Sequence, residues 1–111
     1  MKAGIKTMIY PVEDLAKSKA VFTRLLAVDP AVDYPSYVQF NLENQEIGLD
    51  SSGRHKAGAT AYLHVADIHR ALKVLLEAGA ATQQEVTDLG GRMIASVKDA
   101  DGNLIGLLQP E

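Results

Sequence analysis

The chain has 111 residues, a formal net charge of −3, 47% hydrophobic and 23% charged residues, and no cysteine. This composition suits one globular domain with its own core, and it excludes a disulfide framework, a thiolate nucleophile and a zinc–thiolate site. The mild charge argues against nucleic-acid or basic membrane-surface binding, no apolar run approaches the ~20 residues that span a bilayer, and the N-terminus lacks a signal-peptide pattern, so a cytoplasmic protein is expected.

Residues 5–12, IKTMIYPV, are rich in strand formers and end at Pro11, which cannot donate to a ladder. EDLAKSKAVFTRLLA follows, with Leu15, Ser18, Phe22, Leu25 and Leu26 at helical spacing and Asp14 at the N-cap position. After a loop holding Pro30 and Pro35, YVQFNL and QEIGLD flank Glu43-Asn44 and predict a hairpin. The stretch 51–59, SSGRHKAGA, reads as a polar linker. TAYLHV is then a strand, and Asp67 caps a helix with Ile68, Ala71, Leu72, Leu75 and Leu76 inward and Gly79 as its C-cap glycine. RMIASVK and NLIGLLQ form a second hairpin around the turn DADG.

The order of elements is written twice. The pairs Thr7/Thr60, Val12/Val65, Asp14/Asp67, Leu15/Ile68 and Val21/Val74 share one offset, and Ile47-Gly48-Leu49 recurs as Ile105-Gly106-Leu107. Each half reads β-α-β-β, with room for one more short strand in 28–36 and in 82–90. The predicted class is α+β: two tandem βαβββ modules, about 1–52 and 58–111, in a single domain. Their helices lie outside a cup-shaped curved sheet, formed within one chain or across a dimer.

The stretches VEDLAKSKAVFTRLLA and VKDADGNLIGLLQ, with HVADIHRALKVLLEAGA as the second-half counterpart, resemble the vicinal-oxygen-chelate superfamily. That superfamily includes glyoxalase I, bleomycin-resistance proteins, fosfomycin-resistance enzymes and extradiol dioxygenases. The first stretch is close to the pattern V-x-D-L-x-x-S-x-x-F-Y-x-x-x-L-G, and the second to a D-P-D-G-N hairpin. Ala27 stands where that pattern has glycine and Ala100 where it has proline. The resemblance implies paired βαβββ modules around a divalent metal, held by His, Gln or Glu on the first strand of each half and Glu on the last. Those positions fall on Thr7, Thr60, Gly48 and Gly106. Glycine brings no donor and a neutral threonine hydroxyl is a weak one, so no metal and no other cofactor is expected.

Strand alternation places Thr60, Tyr62 and His64 on the cavity face, with Thr7, Gly48 and Gly106 as the other expected ligand-binding positions. His64 is the candidate proton-transfer or anion-binding group, weighed against a hydrogen-bonded, idle histidine. Tyr62 either contacts a ligand or fills the cup, and the two glycines are expected to widen it. The rest of the lining is expected from Ile5, Ile9, Phe40 or its neighbours, Leu104 and Leu108, with Asp50 at the rim. His69 belongs on a solvated helix face, and DADG is a turn, since Pro110 stands where a calcium loop needs glutamate. Arg54, His55 and Lys56 are a solvated linker, or a lid over an anion. The expected function is metal-free sequestration or sensing of a small organic ligand. The alternative is a glyoxalase-like lyase, isomerase or dioxygenase-related enzyme using His64. A homodimer is expected, because free sheet edges burden a small monomer.

Overall fold

The computed structural model describes residues 4–53 and 58–111. It contains β1 (Gly4–Pro11), α1 (Leu15–Leu26), β2 (Val32–Asp33), β3 (Tyr37–Asn41) and β4 (Glu46–Asp50). These are followed by β5 (Thr60–His64), α2 (Ile68–Glu77), β6 (Ala81–Leu89), β7 (Arg92–Lys98) and β8 (Leu104–Gln109). The βαβββ order thus occurs twice. The two extra strands differ in size: β2 has 2 residues, whereas β6 runs for 9 and pairs with β7 through two register shifts. The expected linker lid, Arg54, His55 and Lys56, lies outside the described residues.

Two compact units make up the chain, Thr7–Thr60 and, with the described residues up to Lys6, Ala61–Glu111. Strand order is β2-β3-β4-β1 in the first and β5-β8-β7-β6 in the second. In the first unit β1 runs parallel to β4, with Thr7 opposite Glu46 and Ile9 opposite Gly48, while β3 and β4 form the antiparallel hairpin. In the second, β5 runs parallel to β8, with Tyr62 opposite Gly106, and β8 is antiparallel to β7.

Each helix starts at its predicted aspartate. Asp14 accepts from the Lys17 amide at 3.0 Å and Asp67 from the Arg70 amide at 3.1 Å, satisfying one orphan N–H of each first turn. The helix ends differ. Gly79, just past α2, has φ +106°, as a C-cap glycine allows, but after α1 the left-handed position falls to Ala27 at φ 58°. Ala27 is the one non-glycine with positive φ among the described residues, which explains physically why glycine belongs at this place.

Both helices bury a narrower stripe than expected. Leu15, Phe22 and Leu26 pack with Val12 and Val28 on Val38, Phe40 and Leu49, and the Phe22 and Phe40 ring centres lie 6.3 Å apart. Leu25, expected on this stripe, is 71% exposed. In the second unit Ile68 and Ala71, with Leu72 and Leu75, cover Val65, Ala95 and Leu107, but Leu76 is 41% exposed. A stripe that includes every apolar residue at helical spacing is wider than the line of contact with a sheet.

Candidate functional site

Strand pairing assigns the side chains of the first unit to two faces. Val38, Phe40 and Leu49 lie under α1, so Thr7, Ile9, Gln39, Glu46, Gly48 and Asp50 occupy the other. Phe40 is therefore not a lining residue of that face, where its neighbours Gln39 and Asn41 stand instead. The face is polar and tied together. Thr7 Oγ1 donates to Glu46 Oε1 at 2.8 Å, Tyr37 Oη to Gln39 Oε1 at 2.7 Å, and Gln39 Nε2 to Asn41 Oδ1 at 2.8 Å. Asp50 is buried and accepts from the Ser52 amide at 2.8 Å. Sequence reasoning missed Tyr37, Gln39 and Glu46. The alternation that put Asp50 on the face of Gly48 also puts Glu46 there, two residues earlier, and was the signal available.

In the second unit Leu63, Ala95 and Leu107 face α2, so Tyr62, His64, Ile94, Ser96, Gly106 and Leu108 share the opposite face. Thr60, which opens β5, is buried and donates to the Gly58 carbonyl at 3.1 Å.

The two strand glycines do not leave open space. A Cβ at Gly48 would stand 2.5 Å from Tyr37 Oη, and a Cβ at Gly106 would stand 2.7 Å from Tyr62 Cδ1 and 2.8 Å from the Ala61 carbonyl oxygen. Each absent side chain is replaced by a tyrosine ring laid across the backbone, the close approach that only glycine permits. The expectation that these glycines widen a cavity is thus corrected.

Of the six expected ligand-binding residues, Thr7, Gly48, Thr60, Tyr62 and Gly106 are buried, and His64 alone is partly open to solvent. His64 lines a cleft of about 600 Å³ in the second unit, together with Lys6, Val65, Gln109, Pro110 and Glu111. Gln109 is held by its Oε1, which accepts from the Ile68 amide at 2.9 Å, at the start of α2. The Lys6 side chain makes no hydrogen bond or ion pair with the described residues. His69 is exposed on α2, as its position in the first turn predicts. In the turn before β8, Asp99 accepts from the Asn103 side chain at 3.0 Å and from the Asn103 and Asp101 amides at 2.8 and 2.9 Å. The Asn103 side-chain bond, followed by its amide, holds the Asp99 carboxyl below its ordinary pKa.

Two βαβββ modules define the class of chain, one whose best-known members chelate a metal. The model of the Glyoxalase/Bleomycin resistance protein/Dioxygenase superfamily matches residues 4–107, and the chain belongs to that superfamily. Solved structures share the fold at low identity. A chain described as an NAD-dependent benzaldehyde dehydrogenase from Legionella pneumophila aligns with TM-score 0.77 and 15% identity, over 95% of this chain and 98% of that one. A glyoxalase/bleomycin resistance protein/dioxygenase superfamily member from Vibrio splendidus aligns at 0.73 and 16%, over 97% and 99%. Methylmalonyl-CoA epimerase from Mycobacterium tuberculosis aligns at 0.71 and 17%, over 97% and 88%. No curated protein sequence matches the chain.

The family's metal does not fit the residues present. Two of its four donor positions are glycines under tyrosine rings and two are threonines, and among the described residues no three His, Asp or Glu side chains group as a ligand set.

Proposed function

We propose that the chain is a metal-independent small-molecule-binding protein that holds an organic ligand against His64. The observation that carries this reading is the donor set: Thr7, Gly48, Thr60 and Gly106 supply no carboxylate or imidazole, and tyrosine rings close over both glycines. The cleft beside His64 has the volume of a small-ligand site, mixing an apolar wall from Val65 and Pro110 with a few polar groups. Beta2 and β6 end their strand orders, which supports a homodimer as the working form.

The test is thermal unfolding with a panel of planar aromatic and thiol-conjugate compounds. A ligand present at about a hundred times its Kd adds about 2.7 kcal/mol, a shift of several degrees for a chain of this size. His64→Ala is expected to abolish the shift while leaving the ligand-free transition in place. A shift that survives His64→Ala moves the ligand elsewhere.

A second reading, a lyase or isomerase, rests on His64 as a titratable group in a cleft. Turnover of a bound compound, lost in His64→Gln with binding retained, would decide for it.

A further inference from the structure

Resting on the reading that a ligand sits beside His64, we infer that this cleft selects a small organic monocarboxylate and binds its carboxylate between Lys6 and Gln109. The inference comes from the balance of donors and acceptors. The Ile68 amide needs an acceptor, and this fixes which end of the Gln109 amide is oxygen, leaving Nε2 as a donor group. Lys6 brings an ammonium with no hydrogen bond or ion pair to the described residues. Two kinds of donor, an ammonium and an amide N–H group, therefore line one cleft in a chain whose net charge is −3, where the average surface disfavours an anion.

Glu111 sets the limit on charge. Glu111 lines the same cleft, and its side chain packs against Gly91, where an added Cβ would come within 2.9 Å of its Cγ. Acidic charge from Glu111 beside the single ammonium of Lys6 leaves the cleft no surplus of positive charge, so a monoanion is favoured over a dianionic phosphate. Val65 and Pro110 supply apolar surface for the organic part of the ligand.

Ligand-observed NMR and calorimetry on the whole chain test this, using benzoate, phenylacetate and octanoate, their primary amides, and phenyl phosphate. The carboxylates are expected to bind about tenfold more tightly than the matching amides, the difference one charge-assisted hydrogen bond makes. Lys6→Gln, a change at an exposed side chain, is expected to remove that preference. Glu111→Gln is expected to tighten carboxylate binding severalfold and to let phenyl phosphate bind. Equal affinity for acid and amide, with His64→Ala weakening both, would overturn the carboxylate inference while the binding function stands. Carboxylate binding unaffected by Lys6→Gln and Glu111→Gln would overturn the placement. Failure of every acid and amide to bind would overturn the carboxylate inference, and the broader ligand panel then judges the binding function separately.

Discussion

The two modules share a plan and solve the same local problem with different residues. Both have a strand glycine at the position where the family places a metal-binding glutamate, and in both a tyrosine ring lies over it. In the first unit the ring is Tyr37, from the antiparallel neighbour β3, one diagonal step from Gly48. In the second it is Tyr62, from the parallel neighbour β5, directly opposite Gly106. The tyrosines are not repeat partners of each other. The glycine and its cover therefore go together physically, although the repeat preserves only the glycine.

The comparison is sharpest when a methyl group is added to each. At Gly106 the new Cβ meets the Ala61 carbonyl as well as the Tyr62 ring, and backbone cannot swing aside. Gly106→Ala is expected to cost about 2–3 kcal/mol in urea unfolding, and trimming Tyr62 should not rescue it. At Gly48 the three nearest atoms all belong to the half-buried Tyr37 side chain, which can shift where backbone cannot, so Gly48→Ala should cost about 1 kcal/mol or less. Equal costs would break the distinction.

The helix caps give the next effects. Asp14→Ala and Asp67→Ala should each lose about 1 kcal/mol, because both remove the same bond to a first-turn amide. The C-termini should respond in opposite directions. Ala27→Gly relieves a left-handed alanine and is expected to raise stability by about 0.5–1 kcal/mol, whereas Ala78→Gly, at φ −81°, should lower it by a similar amount. Thermal unfolding of the pair checks the sign.

The smallest effect lies in the turn before β8. The folded-state pKa of Asp99 is lowered from 3.8, so its stabilisation is present above that value and is lost as pH falls through the folded pKa. Asp99→Ala should therefore flatten the acid limb of the stability–pH curve and leave its shape near neutrality unchanged.

The duplicated βαβββ order was legible because helix caps, turn residues and strand alternation are local signals. Ala27 was legible as a departure from a pattern, and the backbone supplies the reason. The cover over Gly48 was not, because it depends on which strand lies beside β4 and on a ring leaning across two positions of register. Exposure of Leu25 and Leu76 was equally out of reach, since spacing defines a helix face without saying how much of it a sheet covers. The cleft escaped for a related reason: Lys6 and Gln109 are far apart in sequence and meet only through the fold.

Metal independence is the claim on which the functional reading turns. The most direct measurement is thermal unfolding of the purified chain with nickel, zinc, manganese and iron(II), each at micromolar concentration. The account predicts an unchanged transition with every metal, because glycine and threonine at those four positions supply no carboxylate or imidazole, and no three His, Asp or Glu side chains group among the described residues. A shift of several degrees with a single metal would contradict it and restore the family's chelating chemistry to this chain.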